Sequence, residues 1–389
     1  MTRSDVTRRF SLLRLIKWGG LVVVGGIYAC LFGEVFLRLL DPQVRMPRYV
    51  TGTEYGIRGN IPNSVYRQST PEVQVEVRIN GQGMRNNQEF ALEKPPGTCR
   101  IALLGDSYFM GYEAHYEDTI VGLLESRLAA MGYRVEVPNF AVSGFSTEEM
   151  LREFEERTVT FDPDVVIVQF GRGDFADNMR PGLYRLDEDG VPQPTGGSYL
   201  PGVDIRDTLM KSAFYRMLIS DSHFYSAIRE WAGKTVQNML TSVGNMRRQV
   251  AAFRGKSDAA QSASSTEQKV QTVTPYMRQT RYTSDLLMLS RVRAEEEGME
   301  WFMFEIPAKF YGRAYGSFAK DLDLDAATSA RVISPMSLFD EYPEDADPWL
   351  YREQGHSHFT EAGNGLATQA LIDGMFRTSP QVFEGCRSS

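Results

Sequence analysis

The sequence has few residues of the kinds that build metal and redox sites. Its 389 residues include three cysteines and four histidines, and the cysteines do not have the spacing of a metal site. A basic excess is also missing: the formal net charge is −8, which gives no positive field to attract nucleic acid. We therefore expect no metal, no cofactor and no nucleic-acid partner. The composition leaves the oligomeric state open.

Long apolar runs are scarce, and the one that is present lies near the N-terminus. A helix over residues 18–40 would extend roughly 34 Å at about 1.5 Å per residue, which is enough to cross a hydrocarbon core. Its two charged residues, Glu34 and Arg38, have the spacing of a helical ion pair. Residues 1–17 carry the basic side chains Arg3, Arg8, Arg9, Arg14 and Lys17. The positive-inside rule then predicts a cytoplasmic segment 1–17, a single transmembrane anchor 18–40 and an extracytoplasmic remainder.

Two other interpretations of this run concern cleavage. A secretory signal would be removed, but no cleavage site of small residues follows the run, so retention is favoured. A lipoprotein site ending at Cys30 is disfavoured by the bulky Tyr28 and by the apolar residues beyond it. The other two cysteines, Cys99 and Cys386, lie in the part predicted to be outside the cytoplasm. An oxidising compartment allows a disulfide, and no third cysteine competes there, so we predict that they pair.

The remaining chain divides by composition into two parts. Residues 41–98 are rich in Pro, Gly, Asn and Arg and include an alternating stretch at 73–81, which predicts a β-rich lead-in. Over residues 99–389, apolar strand patterns alternate with amphipathic helical patterns, which predicts an α/β domain with a doubly wound parallel sheet. Between the third and fourth strands, residues 176–281 predict a helical insertion, whose polar centre at 254–273 favours a mobile loop.

Ligands of a doubly wound sheet bind in the loops at the carboxyl ends of the strands. Ser107 follows the first predicted strand, Gly144 the second, and the segment 171–174 the third. A serine hydroxyl needs a neighbouring base to become a nucleophile. Of the four histidines, His356 and His358 directly precede the last helix, where a side chain can return to the same edge of the sheet. These loops are the candidate site.

Taken together, these segments resemble the SGNH/GDSL hydrolase superfamily. "LLGDSYFMG" (103–111) is similar to its first block, "NFAVSGFS" (139–146) to the second, "QFGRGD" (169–174) to the third and "HSHFTEAG" (356–363) to the last. The anchor and lead-in are also similar to those of membrane-anchored bacterial members.

The resemblance implies a flavodoxin-like sheet and a role for each matched residue. Ser107 corresponds to the nucleophile and His358 to the base, and the backbone N–H groups of Ser107 and Gly144 correspond to oxyanion donors. Asp106 and Asp174 are expected to shape their loops.

Two positions depart from the family pattern. Gly173 stands where the third block supplies an oxyanion-hole Asn. His356 and Gly355 stand where the last block has an acidic residue, so His356 is expected beside His358 in place of the acid. Asp347 and Glu353 are the carboxylates nearby in sequence that could substitute.

The resemblance implies a serine esterase or acyl (acetyl) transferase. The predicted anchor and its orientation further indicate a protein of the bacterial inner membrane with its C-terminal domain on the periplasmic side. In that location we expect its substrate to be an ester of an envelope glycan or lipid. The alternative is a catalytically degenerate protein that binds glycans or assists assembly, because a missing oxyanion donor and a missing acid slow catalysis. A third possibility is that only the fold is shared.

Overall fold

The structure is a computed structural model, and it describes residues 3–232, 235 and 274–387. The stretch 254–273, predicted to be a mobile loop, lies outside the described residues. The chain divides into two units: one comprises residues 1–45 and 214–270, and the other residues 46–213 and 271–389.

The helices are, in chain order, α1 (Arg3–Leu40), α2 (Ile120–Ala130), α3 (Thr147–Glu156), α4 (Asp174–Asp177), α5 (Val203–Met210), α6 (Ala213–Asp221), α7 (residues 223–232), α8 (Pro275–Glu296), α9 (Ala326–Ser329), α10 (Met336–Asp340) and α11 (Glu361–Thr378). The strands are β1 (Val50–Gly52), β2 (Arg58–Asn60), β3 (Val65–Ser69), β4 (Gln74–Arg78), β5 (Cys99–Leu104), β6 (Val135–Glu136), β7 (Val165–Gly171), β8 (Tyr184–Leu186), β9 (Pro192–Pro194), β10 (Glu300–Ile306), β11 (Ala308–Lys309), β12 (Tyr315–Gly316) and β13 (Val332–Ile333). Short 3₁₀ helices lie at Tyr116–Asp118, Thr158–Phe161, Ala319–Asp321 and Pro380–Cys386.

Five parallel strands form the central sheet, in the order β13-β10-β7-β5-β6. The chain reverses its direction of travel across the sheet between β5 and β7, as in flavodoxin-like folds, and ligands bind at this switch point. All of β5 and nearly all of β7 is buried, which their continuous aliphatic runs require in a sheet covered on both faces. The predicted α/β fold is confirmed.

Helices cover the sheet and set the ends of its loops. α2 packs against α11 and α3 against α8. α3 begins as its sequence predicts, with a capping box in which Ser146 accepts the Glu149 N–H and Glu149 reaches back to the Ser146 N–H. α11 begins after Thr360, whose side chain accepts the Gly363 N–H. This cap fixes the point at which the histidine segment enters the helix.

The lead-in and the described part of the insertion both contain regular secondary structure. β1 pairs with β2 and β3 with β4, and the alternating stretch at 73–81 contains β4, whose residues alternate between exposed and buried. Within the segment 176–281, the described residues include the helices α5, α6 and α7. The insertion also contains a β8–β9 hairpin that the sequence analysis missed, turned by the segment 187–190.

A disulfide joins Cys99, the first residue of β5, to Cys386 near the C-terminus, with 5.5 Å between the two Cα atoms. This pairing was predicted and is confirmed. Cys30 is a free, exposed cysteine in α1. Within α1, the segment Lys17–Leu40 is long and apolar enough to cross a membrane.

Candidate active site

Ser107 lies in the tight turn that follows β5. Gln169 in β7 holds this turn from the neighbouring strand: its Oε1 accepts the N–H groups of Asp106 (3.2 Å) and Phe109 (3.1 Å), and its Nε2 donates to Asp106 Oδ1 over 2.5 Å. Gly105 cannot carry a side chain, because a Cβ there would lie 2.6 Å from Gln169 Oε1. The turn that presents Ser107 therefore depends on a buried amide in β7.

Ser107, His358 and Glu113 form a continuous chain of hydrogen bonds. Ser107 Oγ lies 2.8 Å from His358 Nε2, and His358 Nδ1 lies 2.7 Å from Glu113 Oε2. His358 and Glu113 are buried, whereas Ser107 is partly accessible. In this geometry a carboxylate can orient an imidazole while the imidazole accepts a serine proton.

Two tyrosines from the loop after β5 flank the His358 ring. The ring centroids of Tyr108 and Tyr112 lie 5.1 Å and 5.5 Å from that of His358. The Tyr108 hydroxyl also donates to the carbonyl oxygen of Ser357 over 3.1 Å. Ser357 has a left-handed backbone, with φ of 62°, which is uncommon for a residue with a side chain. These contacts join the histidine segment to the serine turn.

Glu113 also has a left-handed backbone, with φ of 60°. Side chains of the lead-in hold its loop in place. Gln68 Oε1 accepts the Glu113 N–H over 3.0 Å, and Arg85 donates to the carbonyl oxygens of Met110 (2.8 Å) and Ala114 (2.7 Å). Because Gln68 and Arg85 are buried, these contacts are shielded from water. The lead-in thus fixes the position of the carboxylate.

The Glu113 carboxylate is stabilised in its charged form. Burial by itself raises the pKa of Glu113, but the His358 side chain and the backbone N–H groups of His356 and His358 outweigh it, so the pKa lies below the usual value. The His356 N–H donates to both carboxylate oxygens, over 3.0 Å and 3.1 Å. A charged partner at Nδ1 favours the His358 tautomer that leaves Nε2 free to accept a proton.

The expectation that His358 lacks an acidic partner is wrong. Glu113 bonds to Nδ1 in the position expected for His356, whose exposed ring lies 6.4 Å from the His358 ring, centroid to centroid. Glu353 pairs instead with Arg313, over 3.1 Å. Asp347 is exposed and makes no bond to His358 among the described residues. The histidine segment contacts the Glu113 carboxylate through the backbone N–H groups of His356 and His358, and not through the His356 ring.

The loops that contain Gly144 and Gly173 lie at the same edge of the sheet. Gly144 has a left-handed backbone, with φ of 80°, a conformation that glycine adopts without the steric cost other residues have. Gly173 directly precedes α4 and has no side chain to replace the Asn of the family pattern. Neither backbone N–H, nor that of Ser107, makes a hydrogen bond to any other described residue. Three N–H groups are therefore available to a ligand in this region.

Asp106 and Asp174 each bond within their own loop, as expected of residues that shape a turn. Asp106 Oδ1 accepts the Tyr108 N–H over 2.9 Å, and Asp174 Oδ2 accepts the Gly171 N–H over 2.8 Å. Burial raises the pKa of Asp174 well above its usual range, with a further contribution from the charge of Asp106.

Glu113 is the functional residue that the sequence analysis missed. It lies six positions after Ser107 in a turn with no helical or strand periodicity, so no pattern marks it. The available signal was the glycine at position 355, since a missing acid in the last block implies that another carboxylate approaches from elsewhere. Gln68 and Arg85 carry no such signal, because their contacts with the loop join distant parts of the chain.

Residues 103–221 match the model of the GDSL-like lipase/acylhydrolase family. The matched segment begins within β5 and contains Ser107, Glu113, Gly144 and Gly173. No curated protein matches the sequence of this chain. The family match confirms the predicted resemblance to the SGNH/GDSL hydrolase superfamily and, with it, the predicted class: a serine hydrolase that acts on ester bonds.

Solved structures of lipases and esterases are similar to this chain at low identity. A lipase/acylhydrolase from Enterococcus faecalis has 18% identity, with 71% of this chain and 95% of that chain covered and a TM-score of 0.36. The psychrotrophic esterase EstA from Pseudoalteromonas sp. has 12% identity, with 72% and 97% covered and a TM-score of 0.33. The structure of TesA has 13% identity, with 72% and 99% covered and a TM-score of 0.38.

Proposed function

We propose that this protein is a membrane-anchored, extracytoplasmic serine esterase in which Ser107 is the nucleophile, His358 the general base and Glu113 the orienting carboxylate. The observation that carries the proposal is the uninterrupted contact from Ser107 Oγ through the His358 ring to the Glu113 carboxylate, at 2.8 Å and 2.7 Å. A serine next to a base that a third group orients is the arrangement of an activated nucleophile.

In the first half of the reaction, Ser107 Oγ attacks the ester carbonyl carbon while His358 Nε2 accepts the hydroxyl proton. Glu113 stabilises the imidazolium that forms. The tetrahedral intermediate collapses, His358 returns the proton to the leaving alcohol, and an acyl-enzyme remains on Ser107. In the second half, His358 activates a water that hydrolyses the acyl-enzyme. A sugar or lipid hydroxyl in place of that water would make the same site an acyltransferase.

The proposed oxyanion donors are the backbone N–H groups of Ser107 and Gly144, neither of which has a partner among the residues described. Gly173 contributes no side-chain donor and can offer only its backbone N–H. Loss of one such donor costs about 10²–10³-fold in rate in enzymes where it has been measured. We therefore expect turnover to be slower than in family members that retain the Asn. The binding-protein alternative loses support, because the acid whose absence suggested it is supplied by Glu113.

The proposed anchor is α1, retained and not cleaved. Glu34 near its end accepts hydrogen bonds from Ser222 Oγ (2.8 Å), from the Phe224 N–H (2.9 Å) and from Arg38 (2.8 Å). Phe224 also packs so closely on Gly33 that a Cβ there would lie 2.7 Å from its ring. Cleavage after the apolar run would remove the side chain that caps α7. This integration of α1 into its unit supports an anchor over a signal peptide.

The proposed compartment is the periplasmic side of a bacterial inner membrane. The disulfide between Cys99 and Cys386 supports an oxidising environment for the catalytic unit. The five basic residues before the apolar segment support a cytoplasmic N-terminus. The periplasm gives an enzyme access to acylated glycans and lipids of the envelope, and these are the proposed substrates.

Hydrolysis of p-nitrophenyl acetate by the purified full-length chain in detergent tests the proposal. Wild type should release p-nitrophenol enzymatically, and Ser107→Ala should lower the rate at least 10³-fold. Ser126→Ala, which changes an exposed serine on α2, is the matched control and should retain the wild-type rate. Equal rates for Ser107→Ala and wild type would reject the proposed nucleophile.

A further inference from the structure

Arg48, in the lead-in, lies beside the second loop of the site without a counter-charge. Its Nη1 is 3.5 Å from the position that a Cβ on Gly144 would take. The side chain is exposed, and it makes no ion pair or hydrogen bond with any residue that the structure describes. The structure thus leaves the positive charge of Arg48 without a paired anion among the described residues, next to a loop of the candidate site, in a chain whose net charge is −8.

The neighbouring Arg58 shows what a structural arginine does at the same loop. Its Nη1 is 3.4 Å from the same Cβ position on Gly144, but its Nε and Nη2 donate to the two Glu149 carboxylate oxygens over 2.9 Å and 2.7 Å. Arg58 Nη2 also donates to the Gly144 carbonyl oxygen over 2.6 Å. Glu149 further accepts the Ser146 N–H over 3.1 Å. Among the described residues, the carboxylate bonded at this loop is that of Glu149, and it is already paired with Arg58 and not with Arg48.

The Gly144 loop runs directly beside the serine turn. The Val142 N–H donates to the Gly105 carbonyl oxygen over 3.1 Å, two residues before Ser107. A substrate whose developing oxyanion faces the Gly144 N–H would therefore lie next to the loop beside which Arg48 is exposed. A guanidinium presents a planar fork of donors that matches the paired oxygens of a carboxylate or a phosphate.

We propose that Arg48 binds an anionic group, a carboxylate or a phosphate, that the substrate carries close to its scissile ester. The inference rests on the proposed function, because it takes Ser107 as the nucleophile. It narrows the substrate class from acylated glycans or lipids in general to esters on acidic sugars or on phosphorylated compounds. Arg48 is then a specificity residue, while Ser107, His358 and Glu113 perform the chemistry.

Three acetyl esters of one sugar framework test this inference: acetylated glucose, acetylated glucuronic acid and acetylated glucose 6-phosphate. Wild type should have a kcat/KM about tenfold higher for at least one anionic ester than for the neutral one, as expected of a charge-assisted hydrogen bond. The preferred ester identifies the anion as carboxylate or phosphate. Arg48→Gln should abolish the preference, and Arg48→Glu should invert it. Raising NaCl from about 0.05 to 0.5 M should weaken it in wild type, because the group is exposed.

Arg377→Gln is the matched control, since Arg377 is an exposed arginine at the far end of α11 from the histidine segment. This variant should keep the wild-type preference. Equal kcat/KM for the three esters in wild type, or a preference that survives Arg48→Gln, would overturn the inference and leave the proposed esterase standing. Cleavage of p-nitrophenyl acetate but of none of the three sugar esters would likewise overturn the inference alone. Failure of wild type to cleave p-nitrophenyl acetate as well would overturn the proposed function and the inference with it.

Discussion

Glu113 fills the space that a side chain at position 355 would occupy. A Cβ built on Gly355 would lie 1.7 Å from Glu113 Oε1. In the family pattern that this chain resembles, the acidic residue stands two or three positions before the base, at the positions of His356 and Gly355. The carboxylate therefore reaches the same side of His358 from the loop after β5, and the glycine leaves it room.

Replacing Glu113 by Gln should slow the reaction without preventing substrate binding. An amide holds the imidazole less well and does not stabilise the imidazolium, so we expect kcat to fall about 10²–10⁴-fold while KM changes little. Steady-state kinetics on p-nitrophenyl acetate measure both constants. Glu117→Gln, at an exposed position of the same loop, is the control, and His356→Ala should stay within about threefold of wild type. A Glu113→Gln enzyme with wild-type kcat would remove Glu113 from the mechanism.

Moving the carboxylate to position 355 should restore part of the activity that Glu113→Ala loses. The double variant Glu113→Ala/Gly355→Asp empties the space beside Gly355 and places a carboxylate three residues before His358, where the family pattern has it. We expect kcat to recover at least tenfold relative to Glu113→Ala alone. Gly355→Ala on the wild-type background should lower activity, because its Cβ would collide with Glu113. Gly385→Ala, where a Cβ meets no atom within 4 Å, is the control for the substitution itself. No recovery in the double variant would mean that the two positions are not equivalent.

We expect Gln68, a residue of the lead-in, to raise kcat by holding Glu113 in position. Its Oε1 accepts the Glu113 N–H over 3.0 Å, and Glu113 has an unfavourable left-handed backbone that needs such support. Gln68→Ala should lower kcat about tenfold with little change in KM. Gln74→Ala changes an exposed glutamine of the adjoining strand and should have no effect. Equal kcat values for the two variants would show that the hydrogen bond does not position Glu113.

Because of Glu125, the free energy of unfolding should decrease as the pH rises toward neutrality. Burial raises the pKa of Glu125 to about 7. One of its oxygens accepts the Tyr116 hydroxyl over 3.0 Å, and the other has no hydrogen-bond partner among the described residues. The folded state thus binds more protons than the unfolded state between the unfolded pKa of about 4.3 and pH 7, so the free energy of unfolding falls across that interval.

Urea unfolding at pH 5 and pH 8 measures this effect. Wild type should lose about 1–3 kcal/mol more than Glu125→Gln between the two values, since each unit of pKa shift corresponds to about 1.4 kcal/mol and the side chain is partly accessible. Glu188→Gln, at an exposed position, should retain the wild-type dependence. Parallel pH profiles for wild type and Glu125→Gln would contradict the raised pKa.

Much of the fold could be predicted because it depends on local patterns. The continuous aliphatic runs of β5, β7 and β10 are what a buried parallel strand needs, and the alternation with amphipathic helices sets the sheet type. Ser146 and Glu149 have the spacing of a capping box, which predicts that a helix begins where α3 does. The strand pattern of residues 133–140 is longer than the strand itself: only Val135–Glu136 form β6, and Pro138, which cannot donate to a ladder, lies two residues beyond it.

The parts that could not be predicted depend on contacts between distant segments. Gln68 in β3 and Arg85, which follows β4, contact the loop of Glu113 from a separate part of the chain, and no periodicity or motif encodes these contacts. Glu113 itself has a left-handed backbone, which the hydrogen bond from its N–H to Gln68 supports. His358 could be identified since it sits before a capped helix, whereas the partner of its Nδ1 is determined by packing.

The central claim is that Ser107 is activated by the His358–Glu113 pair, and reaction with a fluorophosphonate tests it most directly. The probe forms a stable adduct only with an activated serine, and mass spectrometry of the digested full-length protein locates it. The account predicts one adduct, on Ser107, formed by wild type, formed much more slowly by Glu113→Gln and absent from Ser107→Ala. An adduct on another serine, or equal labelling of wild type and Ser107→Ala, would contradict it.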